Sequence, residues 1–290
     1  MREVQFEPTS LTQFSVFEFG DGQGPSIAIT AGIHGEEQTA IHVANLLVKW
    51  FMEKPLKGRM KIIPLCNPAA YRHRTRCSPF DGLDLNRVFP GSAEGSPTLQ
   101  LAHALWKETR DVEYILDLHC CGAYGSVYTV ALHEQYPHQR DLAKALGIPT
   151  VIHSGGASGQ LFLEANRAGQ KALLIELPGG QPDGMINLRA AEECFQTVLK
   201  YLCHLGMVEG ETNSSPVHFY GKITTLTAPS PGLFLPIAKA GESCQEGEIL
   251  GTYNGSPVKA PFDGVITAIC PPRYSFAGER MVRLSPILLC

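Results

Sequence analysis

No run of about 18 uncharged apolar residues occurs anywhere in the 290 residues, so no helix is expected to span a bilayer. The opening segment, MREVQFEPTS, lacks a basic stretch followed by an apolar run and a cleavage site, so no secretory signal is expected there. Charge is sparse, at 18% of residues, and nearly balanced, with a net charge of −4 and a pI near 6.2. That balance argues against nucleic acid or an anionic membrane as a partner. CxxC pairs are missing too, although there are nine cysteines, an odd number. Free, mostly buried thiols in a reducing cytoplasm are the expectation, rather than a disulfide framework.

What is present is an ordinary core-forming content, 44% hydrophobic, in a chain longer than one average domain. One large domain over residues 1–208 and a smaller one over 209–290 is the natural division. Up to residue 206 the chain alternates between strand-like and helix-like segments. Short Ile/Val/Leu-rich runs at Ser26–Ile33, Met60–Leu65, Tyr114–Leu118, Val127–Leu132, Thr150–Ile152 and Ala172–Leu177 suit strands buried on both faces. Between them, Gln38–Lys54 and Ile186–Leu205 carry apolar residues at helical spacing, and Leu99–Trp106 and Arg140–Leu146 read as shorter helices. The alternation predicts an α/β fold, a sheet flanked by helices on both sides.

After the polar linker Glu209–Ser215 the character changes to Gly- and Pro-rich, short β-prone runs. Ala228–Phe234 (APSPGLF) is echoed by Ala260–Ile266 (APFDGVI), 32 residues on, and Ala240-Gly241-Glu242 by Ala277-Gly278-Glu279. Two similar halves predict a small quasi-symmetric β-sandwich that resembles the lipoyl- and biotin-carrier fold. The place of a carrier's modified lysine falls near Tyr253, where no lysine stands, so a non-carrier module is expected, with Lys259 as the alternative acceptor.

Three clusters carry chemistry. His34 and Glu37, in Gly32–Glu37 (GIHGEE), lie three residues apart after an apolar strand and before a helix. Imidazole and carboxylate are suitable ligands for Zn²⁺, and the carboxyl ends of strands are where open α/β sheets place their sites. HxxE alone is a weak signal, because a surface His beside a helix-starting Glu gives the same pattern. His119 closes a second buried strand, Tyr114–His119 (YILDLH), and a metal shared with His34 and Glu37 would give its ring a partner. Two His and one Glu leave a position open for water, as in catalytic rather than structural zinc. Asp117, two residues earlier, points to the same side as His119 and is a candidate orienter. Glu176, in Ala172–Gly180 (ALLIELPGG), ends a third strand and is a candidate general base. Between them, Asn67–Arg76 and Asp81–Gly91 are dense in Arg, Asn, Gly and Pro, which suits a loop laid across a site. Cys120 and Cys121 are read as packing residues rather than ligands.

The order HGxE, NP…TR…DLNRxFPG, DLH and an IEL-type glutamate strand resembles the succinylglutamate desuccinylase/aspartoacylase family over roughly residues 25–206. The resemblance implies a zinc carboxypeptidase-like fold and one Zn²⁺ held by His34, Glu37 and His119. It implies Glu176 as the base, Arg76 polarising the scissile carbonyl, and Asn86 with Arg87 gripping a substrate carboxylate. Arg167 stands close to a spacing that the family uses for substrate binding. The stretch between Arg76 and DLNR is longer than in aspartoacylase. The expected activity is hydrolysis of the amide of an N-acyl amino acid or a similar small carboxylate-bearing amide. Alternatives are a carboxypeptidase acting on short peptides or β-aspartyl isopeptides and, from another class, a non-catalytic binding protein. The expected partner is thus a small molecule or short peptide with a free carboxylate, and self-association into a homo-oligomer stays open.

Overall fold

The apolar runs become the strands of one large sheet. The computed structural model describes residues 1–5, 13–180 and 184–288. In chain order come β1 (Arg2–Gln5), β2 (Gln13–Phe19), β3 (Ser26–Ala31), α1 (Gln38–Phe51), β4 (Arg59–Ile63), α2 (Pro68–His73), α3 (Pro97–Thr109) and β5 (Tyr114–Gly122). They are followed by β6 (Tyr128–Ala131), α4 (His138–Leu146), β7 (Thr150–His153), α5 (Leu161–Arg167), β8 (Lys171–Gly180), β9 (Met185–Ile186), α6 (Leu188–His204) and β10 (His218–Tyr220).

The strands lie in the order β1-β2-β4-β3-β5-β8-β6-β7-β10, with β9 paired to β8. The centre, β4-β3-β5-β8, is parallel, and β6 joins β8 antiparallel, so the sheet is mixed. Helices cover both faces. On one, the buried stripe Val43, Ala44, Leu47, Val48 and Phe51 of α1 packs with Cys194, Val198 and Leu202 of α6 over the central strands. On the other, Leu101 and Leu105 of α3 and Leu161, Phe162 and Leu163 of α5 fill the space above the sheet. The site therefore sits on a floor that is fixed by packing from above and below.

Three features differ from the sequence reading. β5 runs past His119 to Gly122 and β8 past Glu176 to Gly180, because their ladder continues to Gly122 opposite Gly179. Both candidate side chains are thus held within paired strands rather than at loose ends. The short helices α2 and α5 carry too few residues to show a period. β10 lies past the expected break after residue 208, yet it pairs in parallel with β7, His218 opposite Thr150, and its buried Phe219 joins the large core.

The remaining strands are β11 (Thr224–Thr227), β12 (Gly232–Pro236), β13 (Ser243–Cys244), β14 (Ile249–Tyr253), β15 (Ser256–Lys259), β16 (Gly264–Ile269), β17 (Arg273–Ser275) and β18 (Arg280–Pro286). They form two four-stranded antiparallel sheets, β11-β18-β16-β13 and β15-β14-β12-β17. Phe234, Leu250, Ile266, Val282 and Leu284 fill the space between them. The internal repeat is visible in the fold: β12 and β16 start at its two matching glycines, Gly232 and Gly264, one in each sheet. The β14–β15 hairpin turns on Asn254-Gly255, both at positive φ, a pair suited to a tight turn. This β module is stitched to the large sheet by backbone bridges between Gly125 and Ala268 and between Tyr220 and Ile287.

Candidate metal centre and catalytic pocket

Strand register brings the first group together. In the parallel pair β5–β8, His119 lies directly opposite Glu176, so both side chains rise from the same face. In β3–β5, Thr30 lies opposite Asp117, and its hydroxyl donates to Asp117 Oδ1 at 2.7 Å. β3 ends at Ala31, and the turn that follows delivers His34 and Glu37 just before α1. That turn is held against α2: Gly35 N donates to Thr75 O at 2.9 Å. A Cβ on Gly35 would stand 2.0–2.2 Å from the backbone of Ala70 and Tyr71, so glycine alone fits there. α2 is itself set by Asn67, whose side chain caps Ala70 N at 3.1 Å, and by Pro68 in its first turn.

The result is a buried cluster. His34 Nδ1 is 2.7 Å from Glu37 Oε1, and His119 Nδ1 is 2.9 Å from Glu37 Oε2. Each imidazole is held on its other nitrogen by a second carboxylate: His34 Nε2 by Asp84 at 3.1 Å, and His119 Nε2 by Asp117 at 3.0 Å. One donor atom from each of His34, Glu37 and His119 lies within 4.8 Å of the others, a set that could hold a metal ion. Carboxylates on the outer nitrogens fix the ring orientation and raise the basicity of the inner ones, as around metal-ligating histidines generally.

Electrostatics agree with a place built for a cation. Burial opposes charge on His119, yet Asp117 and Glu37 raise its pKa well above the usual imidazole range. Burial likewise opposes charge on His34, and Glu37 with Asp84 lifts it. Burial would raise the Glu37 carboxyl, but the two imidazoles bring it well below the ordinary range. Glu176 behaves oppositely: burial, and then the Glu37 charge, push it up. Its Oε2 is buried and has no hydrogen-bond partner among the described residues. A buried carboxylate oxygen left open beside a metal-suited triad is what an attacking water would require.

The loop from Arg76 to Phe89 closes one side. Asp81 folds it by accepting from the Ser96 hydroxyl at 2.6 Å and from Thr98 N at 3.0 Å and its hydroxyl at 2.6 Å. Asp84 holds three things at once: His34, the Arg76 Nε at 2.9 Å and the Asn86 N–H at 2.8 Å. Asn86 is buried, with Oδ1 accepting from Leu161 N at 2.9 Å, and its Nδ2 lies 3.4 Å from His119 Nε2, the nitrogen that Asp117 already holds. Arg87 donates to the Asn86 carbonyl at 2.7 Å and forms no ion pair among the described residues. Gly159 lets this loop dock, because a Cβ there would meet Arg87 O at 2.0 Å.

All seven sequence-predicted residues, His34, Glu37, Arg76, Asn86, Arg87, His119 and Glu176, line one cavity of about 450 Å³. Arg167 is elsewhere, paired with Glu164 at 2.8 Å and half exposed. Cys121 also lines the cavity, with its thiol donating to the carbonyls of Ser126 and Leu177. The eight cysteines described are all free; Cys290 lies outside the described residues. Among the wall residues that escaped the sequence reading altogether are Arg280 and Arg283, both from β18 of the β module. Asp84 was in plain view as the first residue of DLNR, but only the loop's path shows it reaching His34.

Residues 23–205 match the family description "Succinylglutamate desuccinylase/Aspartoacylase catalytic domain". The chain belongs to this family. Among curated relatives, an N-alpha-acetyl-L-2,4-diaminobutyric acid deacetylase from Halomonas elongata is 30% identical over 199 residues, 66% of this chain and 57% of the relative. A succinylglutamate desuccinylase from a Shewanella species is 25% identical over 212 residues, 63% of this chain and 60% of the relative. The aligned region thus spans less than two thirds of either relative. Among solved structures, an aspartoacylase family protein from Mesorhizobium loti superposes with a TM-score of 0.79 at 27% identity, covering 96% of this chain and 90% of that one. A succinylglutamate desuccinylase/aspartoacylase from Rhodobacter sphaeroides gives 0.81 at 22% identity, covering 96% and 90%; at that identity the likeness speaks for the fold. The succinylglutamate desuccinylase/aspartoacylase family is thus one of deacylases, hydrolases of amide bonds. No described helix of this member is long and apolar enough to cross a membrane.

Proposed function

We propose that the chain is a zinc-dependent hydrolase of N-acyl amino acids or similar small amides that bear a carboxylate. One observation carries the reading: two histidines converge on Glu37 with their outer nitrogens held by carboxylates, while Glu176 leaves a buried oxygen open beside them. His34, Glu37 and His119 would hold the ion, and the donor set suits Zn²⁺ with a position left for water. When bound, the ion acidifies that water and polarises the substrate carbonyl.

The chain's own residues do the rest. Glu176, raised by burial and by Glu37, takes the proton from the attacking water and delivers it to the leaving nitrogen. Arg76, tethered by Asp84, meets the negative charge that develops on the carbonyl oxygen. Arg87 takes the substrate carboxylate and so fixes the carbonyl over the site. Asn86, whose Oδ1 is held by Leu161 N and whose backbone carbonyl holds Arg87, offers its Nδ2–H to the same carboxylate. The free thiols fit a reducing cytoplasm as the place of reaction.

The test is a mass-spectrometric product screen with the zinc-loaded enzyme on N-acetyl and N-succinyl amino acids beside short α- and β-linked peptides. Release of free amino acid from an N-acyl substrate, absent in Glu176→Gln, is the expected result. Cleavage of peptides alone would replace the deacylase by a carboxypeptidase, and silence across the panel would sink hydrolysis.

A further inference from the structure

The catalytic cavity does not end at its own wall. It shares Cys121, Gly122, Arg280 and Arg283 with a second cavity of about 710 Å³, which lies between the large sheet and the β module. Cations dominate this second space. Arg74, Arg273, Arg280 and Arg283 line it, and its one carboxylate, Glu279, is already paired with Arg273 at 3.4 Å. Arg283 feels the Glu176 carboxylate and the Tyr128 hydroxyl across the junction, whereas Arg74 and Arg280 have no carboxylate paired with them among the described residues. Guanidinium groups that outnumber the carboxylates in a cavity call for an anionic ligand.

Arg283 stands at the junction, and its position is firmly built. It lies in β18, paired with Thr225 on one side and Ala268 on the other, and its carbonyl accepts from the Thr267 hydroxyl at 3.1 Å. Ala268 is itself bridged to Gly125 of the large sheet, and Ser126 N donates to Thr267 O at 2.9 Å. Val282 and Leu284, on either side in sequence, are buried in the module's core, which turns Arg283 outward to the catalytic domain. The cations thus fall into two groups. Arg76 and Arg87 line only the catalytic cavity, on the loop side, whereas Arg280 and Arg283 belong to both.

We propose that Arg283 and Arg280 form a second anion subsite, which takes a carboxylate at the far end of the substrate's acyl arm. The preferred substrate is then the monoamide of a dicarboxylic acid, not an acetyl or other uncharged amide. This rests on the hydrolase reading above: with the amine half held at Arg87, the acyl arm is the part that points to the β module. The large volume beyond the junction admits arms longer than succinyl.

The experiment compares matched acyl pairs on one amino acid: succinyl with butyryl, glutaryl with valeryl, and adipyl with hexanoyl. In the wild type kcat/KM favours the charged member by about 10-fold or more, as a charged hydrogen bond gives. Arg283→Met, which keeps the apolar stem, brings the ratio near one; Arg280→Gln lowers it less, and Arg283→Lys restores part of it. A ratio near one in the wild type overturns the proposal, as does a ratio undiminished in both Arg283→Met and Arg280→Gln. An equal fall on both members of a pair in Arg283→Met also overturns it, since Arg283 would then act through Glu176. Calorimetric titration of adipate into the zinc-loaded protein gives a readout free of turnover, and binding weakens in Arg283→Met. Adipate binding that depends on Arg283 in a protein inactive on every amide would sink the hydrolase reading and leave the subsite. Hydrolysis without preference for charge would do the reverse. Should Arg283→Met fail to fold, Arg280→Gln and Arg283→Lys carry both measurements.

Discussion

Two walls of one pocket are built by different means. The floor, with His34, Glu37, His119 and Glu176, rises from the central parallel strands and the turn after β3, and each imidazole is fixed on both nitrogens. The arginine walls are carried by a long loop and by a strand of another sheet, and Arg87, Arg280 and Arg283 form no ion pair among the described residues. Groups that must meet within a few tenths of an ångström sit where packing from two helix layers allows little movement. Groups that select the ligand sit on elements that can change without disturbing that floor. In the proposed function the first wall serves chemistry and the second, Arg76 apart, serves selectivity.

The sharpest way to break this division is to remove a member of the floor. His119→Ala should drop the metal and bring turnover to background; full zinc stoichiometry by atomic absorption would refute its role as ligand. Glu176→Gln should cost about 10²–10⁴-fold in kcat with metal content intact. Loss of metal there would make Glu176 a ligand instead. One shell out, Asp117→Asn should weaken metal affinity by about 10–100-fold, read by competition with a chelator. Unchanged affinity would reduce Asp117 to a partner of Thr30.

The loop side should respond differently. Arg87→Ala should raise KM by about 10-fold on substrates with a free carboxylate while kcat changes little. An equal loss on a carboxylate-free analogue would remove the distinction between the walls. The smallest effect belongs to the seam where β10 joins the sheet. There His133 Nε2 donates to Tyr220 O at 3.3 Å, and its ring lies 4.9 Å from that of His153. Burial, then the neighbouring His153, push His133 from 6.5 to about 4. The unfolded chain therefore binds a proton that the folded chain refuses. The stabilisation is complete above pH 6.5 and is lost as pH falls toward about 4. Thermal unfolding in His133→Phe should show a shallower pH slope across that window; an identical slope would place the acid sensitivity elsewhere.

How much was legible follows the same division. The floor could be read because its signals are local: an apolar strand ending in His, a His and a Glu three residues apart, a Glu in a run of Ile and Leu. Register then placed His119 opposite Glu176, which no single strand reveals but two recognisable strands make natural. The β module could be read from its repeat, since Gly232 and Gly264 mark equivalent strands. The far wall could not. In Arg280-Met281-Val282-Arg283 nothing local separates an arginine turned to a cavity from one turned to water. Its target, Gly122 and its neighbours, lies more than half the chain away. α5 was missed for its shortness, and with it the fact that Arg167 turns to Glu164 instead of the pocket.

The bridge from Gly125 to Ala268 has a further consequence, for the order of assembly. The floor needs strands from the first two thirds of the chain, whereas Arg283 reaches it only after β16 and β18 have paired, near the chain's end. Contacts this distant in sequence close late, because the loop entropy must be met before they give anything back. A nascent or partly folded chain would thus have its metal-suited floor before its arginine wall. For a time it would be a site able to act but unable to choose.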